Sequence, residues 1–199
     1  RQVSSAASDV YKRQGEESKT PGKYSQSCLG SWMLTYWNKL LNRDCTVVCI
    51  GDHTVYPIFR VGHTTLMYAQ DKKLVNKNIS QCENIEILIR EPGERFVSGI
   101  NEFCYKNKLK IKETLQLVKQ GKLVDLHFAP QYIWLLHLYK FYKGNVTLRS
   151  FDHIDTLTTV HRNKSVKKYP VEIVKKFVDV DYKLFGYLDE TTELEKIIK

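Results

Sequence analysis

The sequence predicts an α/β fold built on a mainly parallel sheet flanked by helices. Three observations predict it. The runs TVYPIF, IEILIR and NVTLRSF are rich in β-branched and apolar residues, and each is followed by a stretch with helical character. Strands alternating with helices build parallel units whose helices cover both faces of the sheet. Hydrophobic residues make up 42% of the chain and aromatics 12%, enough for a sizeable core, and 199 residues suit one domain.

The elements follow in order. Trp32, Met33, Tyr36, Trp37, Leu40 and Leu41 recur at helical spacing. The runs CTVVCI (45–50) and TVYPIF (54–59) read as strands separated by the turn-like pair Gly51-Asp52. RVGHTTLMYA continues the second as a glycine-bearing turn and a helix start. IEILIR (85–90) has the pattern of a buried strand, and Pro92 suits the first turn of the helix after it. KETLQLVKQ (112–120) is helical, with Gly121 as its C-cap. PQYIWLLHLYKFY (130–142) has a wide apolar face. NVTLRSF (145–151) is a strand and HIDTLTTV (153–160) a short helix. HRNKSVKKYP (161–170) is a basic loop, VEIVKKFVDVDYKLFGYL (171–188) an amphipathic helix, and TTELEKIIK a last charged helix.

Residues 1–14 stand outside this pattern. SSAASDVYKRQ (4–14) has no cap and no apolar periodicity, and it matches a transposase-type sequencing adapter translated in frame. The expectation is a tail of non-native origin ahead of one domain spanning 15–199, with any native signal or anchor lost from view. Localisation is then open: cytoplasmic for a bacterial or viral source, the Golgi lumen if a eukaryotic anchor lay upstream. Without Arg1, Lys12, Arg13 and Asp9, Lys+Arg falls from 31 to 28 and Asp+Glu from 22 to 21, so the net charge falls from +9 to +7. A basic domain attracts polyanions. The runs KNKLKIK and RNKSVKK match no nucleic-acid motif, so nucleic acid is not the expected partner. No apolar run reaches the ~20 residues of a membrane span. Cys28, Cys45, Cys49, Cys82 and Cys104 form no C-x-x-C pair and no zinc spacing, so neither a metal nor a disulfide framework is expected.

Two segments carry anion-binding character. In YPIFRVGHTTL (56–66) a strand leads into a glycine turn and then hydroxyl residues. Such a turn aims backbone N–H groups at one point, Arg60 adds charge, and Thr64 and Thr65 add hydroxyls. The G-x-x-x-x-G-K-[ST] spacing of a nucleotide-triphosphate loop is absent. In IREPGERFVSGI (89–100) Arg90 ends a strand and Ser98 lies on the next helix, so a guanidinium fork and a hydroxyl can converge on one phosphate. Both segments fall at carboxyl ends of strands, where open α/β sheets bind ligands. Glu91, Glu94 and Arg95 read as a solvated, salt-bridged helix start.

IREPGERFVSGINEF resembles the 3′-phosphate motif of sulfotransferases that use 3′-phosphoadenosine 5′-phosphosulfate (PAPS). YPIFRVGHTTL falls where that family has its 5′-phosphosulfate loop, and HFAPQYIWL (127–135) resembles a segment of the carbohydrate sulfotransferases. HRNKS (161–165) and DYKLFGYL (181–188) look like the closing segments, so the resemblance spans about residues 54–188. It implies a P-loop-like, three-layer architecture of the sulfotransferase and nucleotide-kinase type. It also implies PAPS as donor, PAP as product, no metal, and a hydroxyl acceptor, most naturally a glycan.

Carried over, Arg90 and Ser98 bind the 3′-phosphate, and Arg60, Val61, Gly62, His63, Thr64 and Thr65 form the 5′ loop. Arg162, Lys164 and Ser165 close over the nucleotide. One departure is Arg60, where the family usually has lysine; arginine keeps the charge but changes the reach and fork geometry. In-line sulfuryl transfer to a hydroxyl needs a general base. The interval between the two motifs has no histidine, only carboxylates such as Asp71, Glu83 and Glu86. His127, which opens the HFAPQ segment of the resemblance, is the first candidate base, with a purely structural histidine as the alternative. His53 and His63 come next, and His137 and His153 read as structural. A non-catalytic nucleotide- or glycan-binding module on the same fold is the competing expectation.

Overall fold

The computed structural model describes residues 30–70, 78–159 and 168–199. It is an α/β fold with a five-stranded mixed sheet and, among the described residues, eight α-helices. Helix α1 is Ser31–Leu41, strands β1 and β2 are Val48–Ile50 and His53–Val55, and α2 is His63–Ala69. Strand β3 (Asn84–Ile89) leads into α3 (Pro92–Asn107), followed by α4 (Ile111–Lys119) and α5 (Gln131–Phe141). Strand β4 (Asn145–Ser150), α6 (Ile154–Leu157), α7 (Lys175–Tyr182), β5 (Thr191–Glu193) and α8 (Leu194–Ile198) complete it.

The sheet order is β1-β2-β3-β4-β5. β2, β3 and β4 run parallel, whereas β1 and β5 are antiparallel edges, so the sheet is mixed rather than mainly parallel. The cause is local at each edge. Gly51, with φ at 54°, turns β1 straight back into β2. The Thr191-Thr192 pair favours extended backbone and pairs with β4 where a charged helix was expected.

The central strands are buried on both faces. Ile87 and Leu88, which point to opposite sides, are both inaccessible. Helix α5 is apolar almost all round and packs against α1, α7 and α8. Helix α3 packs on α4 and α7. An aromatic group, Tyr36, Phe96, Phe103, Phe128 and Phe177, fills the space between them.

Two predicted elements are shorter than the pattern suggested. The strand over 54–59 stops at Val55, because Pro57 has no N–H for the ladder and Phe59–Gly62 turns. The helix over 171–188 begins only at Lys175, after the branched run Val171, Ile173 and Val174, and tightens to a 3₁₀ turn over Lys183–Tyr187.

Candidate functional site

The turn after β2 carries Arg60 and Gly62, both with left-handed backbone at φ of 65° and 71°. Glycine is required at 62 on two counts. The φ is one that side chains resist, and a Cβ would collide with the Ile154 side chain. Gly62 caps α2, which opens with His63, exposed Thr64 and buried Thr65.

Arg60 and Ser98 lie 38 residues apart and meet through two hydrogen bonds. Arg60 Nε donates to Ser98 Oγ at 3.1 Å and a terminal nitrogen donates at 2.7 Å. The other terminal nitrogen of Arg60 lies 3.4 Å from Glu102, which Lys106 also pairs at 2.9 Å. Burial alone would raise the Glu102 carboxyl, but the Lys106 hydrogen bond and the Arg60 charge hold it below the usual range. Burial, reinforced by the nearby Arg90 charge, lowers the Arg60 guanidinium, with Glu102 opposing.

Arg90 leaves the end of β3 and donates to the Arg60 carbonyl at 3.4 Å. Its side chain is 13% exposed, and its one ion pair among the described residues is a 3.5 Å contact to Glu94, which is 64% exposed. Its Nε is buried with no hydrogen-bond partner among the described residues. The guanidinium lies 5.3 Å from the Phe151 ring centroid. The Arg90 backbone is fixed from α5, since Gln131 accepts from its N–H and donates to its carbonyl, each at 2.9 Å. Gln131 is fixed in turn at the start of α5, where Asp181 accepts from the N–H groups of Gln131 and Tyr132 at 2.7 and 2.8 Å.

Arg95 corrects an expectation. It is not part of a solvated helix start but 2% exposed, donating to the Phe59 carbonyl at 3.1 Å and to the Ala129 carbonyl. Burial lowers it to about 10, and the Arg60 and Arg90 charges add to that while Asp181 opposes. Arg95 therefore ties the 59–62 turn to the segment that holds His127. Glu91 caps α3, accepting from the Glu94 N–H at 2.6 Å and from the Tyr182 hydroxyl at 2.7 Å.

His127 forms an aspartate–histidine pair. Its Nδ1 lies 2.6 Å from Asp125 Oδ1, and the same oxygen accepts from its backbone N–H at 2.9 Å. This fixes the ring and leaves Nε2 for chemistry. Burial acts to raise Asp125, yet the hydrogen bonds from His127 hold it below the usual range. The ring stacks at 5.4 Å on Phe59, which also meets His63 at 4.7 Å. Burial, with the Arg43 and His127 charges, pushes His63 down to about 4. Gly99, next to Ser98, touches the His127 backbone so closely that a Cβ would overlap its carbonyl oxygen.

The structure thus brings Arg60, Arg90 and Ser98 together, with His63 and His127 around Phe59. His53 is elsewhere on the sheet, 2.6 Å from Glu86. His137 is buried between the Tyr56 hydroxyl at 2.8 Å and the Arg43 carbonyl at 3.1 Å, a structural setting. Arg162, Lys164, Ser165 and Asp71 lie outside the described residues. Three residues that matter were not singled out from the sequence. Glu102 lies four positions after Ser98 on one face of α3, Asp125 two before His127, and Gln131 inside the HFAPQ segment; only the first has a periodic signal. Compared with protein-family models, with curated proteins and with solved structures, the chain matches none.

Proposed function

We propose that the chain is a PAPS-dependent sulfotransferase acting on a hydroxyl acceptor, most naturally a carbohydrate, on a three-layer P-loop-like fold. The observation that carries this reading is the Arg60–Ser98–Arg90 convergence. Arg60 donates twice to the Ser98 hydroxyl, Arg90 donates to the Arg60 carbonyl, and the buried Nε of Arg90 has no hydrogen-bond partner among the described residues. Two adjacent guanidinium groups, one with an unpaired nitrogen, favour a bound phosphate or sulfate. In this reading Arg90 and Ser98 hold the 3′-phosphate of the nucleotide. The turn Arg60–Val61–Gly62–His63–Thr64–Thr65 holds the 5′-phosphosulfate, and Arg60 stabilises charge on the leaving phosphate oxygen. His127, held by Asp125, takes the acceptor proton as the sulfur–oxygen bond to PAPS breaks and the bond to the acceptor oxygen forms. PAP and the sulfated acceptor are the products.

A second reading has a specific observation behind it. Arg60 stands where the resembling family has lysine, and its fork is already engaged by Ser98 and Glu102. A side chain so engaged can bind an anion without following the leaving oxygen, which describes a nucleotide- or glycan-binding module.

Thermal shift and calorimetry with PAP test the shared part. PAP raises the melting temperature, and Arg90→Ala abolishes the shift; no PAP binding at millimolar ligand rejects the enzyme and the nucleotide-binding module alike, leaving only glycan binding to be read with a glycan panel. Labelled sulfate transferred from PAPS to any member of a glycan and alcohol panel selects the enzyme. PAP binding without transfer selects the module.

A further inference from the structure

A second polar cluster is built from residues remote in sequence. His53 opens β2, Glu86 lies within β3 and His153 follows β4, and one ligand atom from each lies within 4.8 Å of the others. Val55 is in register with Glu86, and strand alternation puts His53 on the same face. His53 Nδ1 is 2.6 Å from Glu86 Oε1, and His153 Nε2 is 3.4 Å from Glu86 Oε2. The Glu86 side chain is 12% exposed, and its Oε2 is buried with no hydrogen-bond partner among the described residues.

We propose that His53, Glu86 and His153 bind one divalent transition-metal ion of the zinc type. Two imidazoles and a carboxylate are a donor set that zinc takes, with the fourth position left for water. Imidazole donors select it over magnesium or calcium, which take oxygen. Ligand atoms around a tetrahedral zinc stand about 3.3 Å apart. The His153–Glu86 distance already has that spacing, and closing the cluster around an ion takes side-chain shifts of about 1–2 Å, with His53 drawing back from Glu86. Thr156 Oγ1 donates to the His153 carbonyl at 2.7 Å and lies 3.2 and 3.4 Å from the two ring nitrogens of His153, which holds the start of α6 beside the cluster. Arg149 Nε approaches the same carboxylate oxygen at 3.8 Å, beyond hydrogen-bond reach, and Arg149 pairs with Asp189 at 3.0 Å.

The ion acts as a clamp. His153 sits between Phe151, which lies against the Arg90 guanidinium, and Ile154, which packs over Gly62. Joining His153 to β2 and β3 fixes the segment beneath the Arg60–Arg90 cluster. The site is independent of any nucleotide reaction.

The test uses the whole chain stripped with a chelator, titrated with Zn²⁺ by calorimetry and with Co²⁺ by visible absorption. One equivalent of metal binds, Co²⁺ shows ligand-field bands, and the imidazole NMR signals of His53 and His153 move. His153→Gln and Glu86→Gln each weaken binding by about 100-fold or more. Cys45→Ser binds like the wild type. No metal uptake at submillimolar Zn²⁺, stationary His53 and His153 signals, or wild-type affinity in both glutamine variants overturns the proposal. The wild-type NMR signals decide if a variant fails to fold.

Discussion

Arg60 holds a left-handed backbone that costs a residue with a Cβ about 1–2 kcal/mol. The paired hydrogen bonds to Ser98 and the contact with Glu102 offset that cost and keep the guanidinium pointed at α3. His127 is positioned with similar strictness, and its proposed role makes a clear prediction. His127→Ala lowers kcat for sulfuryl transfer by about 10²–10⁴-fold while PAP affinity, read by calorimetry, stays put. Asp125→Asn lowers kcat in the same direction, because an amide cannot hold the same ring tautomer and orientation. A histidine with a structural role only would instead lower the melting temperature and leave kcat of the folded fraction unchanged. At this scale the sequence pointed to residues with strong chemical signatures, and the fold sets Ser98 against Arg60, Arg90 beside Arg60, and His127 against Asp125. The sequence hid Asp125 and Gln131, whose roles exist only as hydrogen bonds made in the folded chain. It also misled on Arg95, because nothing local says that a helix-start arginine will be roofed by the carbonyls of Phe59 and Ala129.

Helix α3 is the element that gathers the site. Arg95, Ser98 and Glu102 recur on one face of it, all buried and all polar. Gly99 lets the backbone of the 127–128 segment lie directly on that helix. Gly99→Ala therefore forces a backbone to move rather than a side chain, and overpacking of this kind costs about 1–3 kcal/mol. The expected outcome is a lower urea midpoint and, in the folded fraction, a displaced His127 with reduced transfer. Chemical denaturation and steady-state kinetics on the same preparation check both. Most helices and the inner strands were legible from periodicity, caps and Pro92. The elements that departed from expectation did so for reasons of pairing. A strand is decided by its neighbour, and β5 exists because β4 offers an edge to Thr191–Glu193.

Across the whole molecule, part-buried His63 and buried His137 weaken the fold in acid, while Asp181, raised to about 6 by burial, opposes them. His63 and His137 are each held neutral by burial and lowered to about 4, so the unfolded chain takes up protons that the native chain refuses. Their contribution to stability is complete above pH ~6.5 and is lost as pH falls from there toward 4. For the inaccessible His137 the slope approaches about 1.4 kcal/mol per pH unit at the lower end of that window, and the part-exposed His63 contributes less. Asp181 adds stability as pH falls through 6, so the histidine contribution is read as a difference: His137→Gln removes part of the fall in denaturation midpoint between pH 7 and 5 relative to wild type, even if it lowers stability at neutral pH. The fold class was legible at this scale, but the sheet's mixed sense was not, since edge strands too short to show a period decide it.

One side chain, Gln131, does for Arg90 what another strand would do, meeting both its N–H and its carbonyl. The direction in which β3 ends is thus inherited from α5 at the centre of the core, and from Asp181 behind it. In the proposed reading, an anion arriving at Arg90 finds that backbone already in place. The conformational entropy that flexible binding loops surrender on capture has here been lost during folding, so a larger share of each phosphate contact is left to appear as affinity.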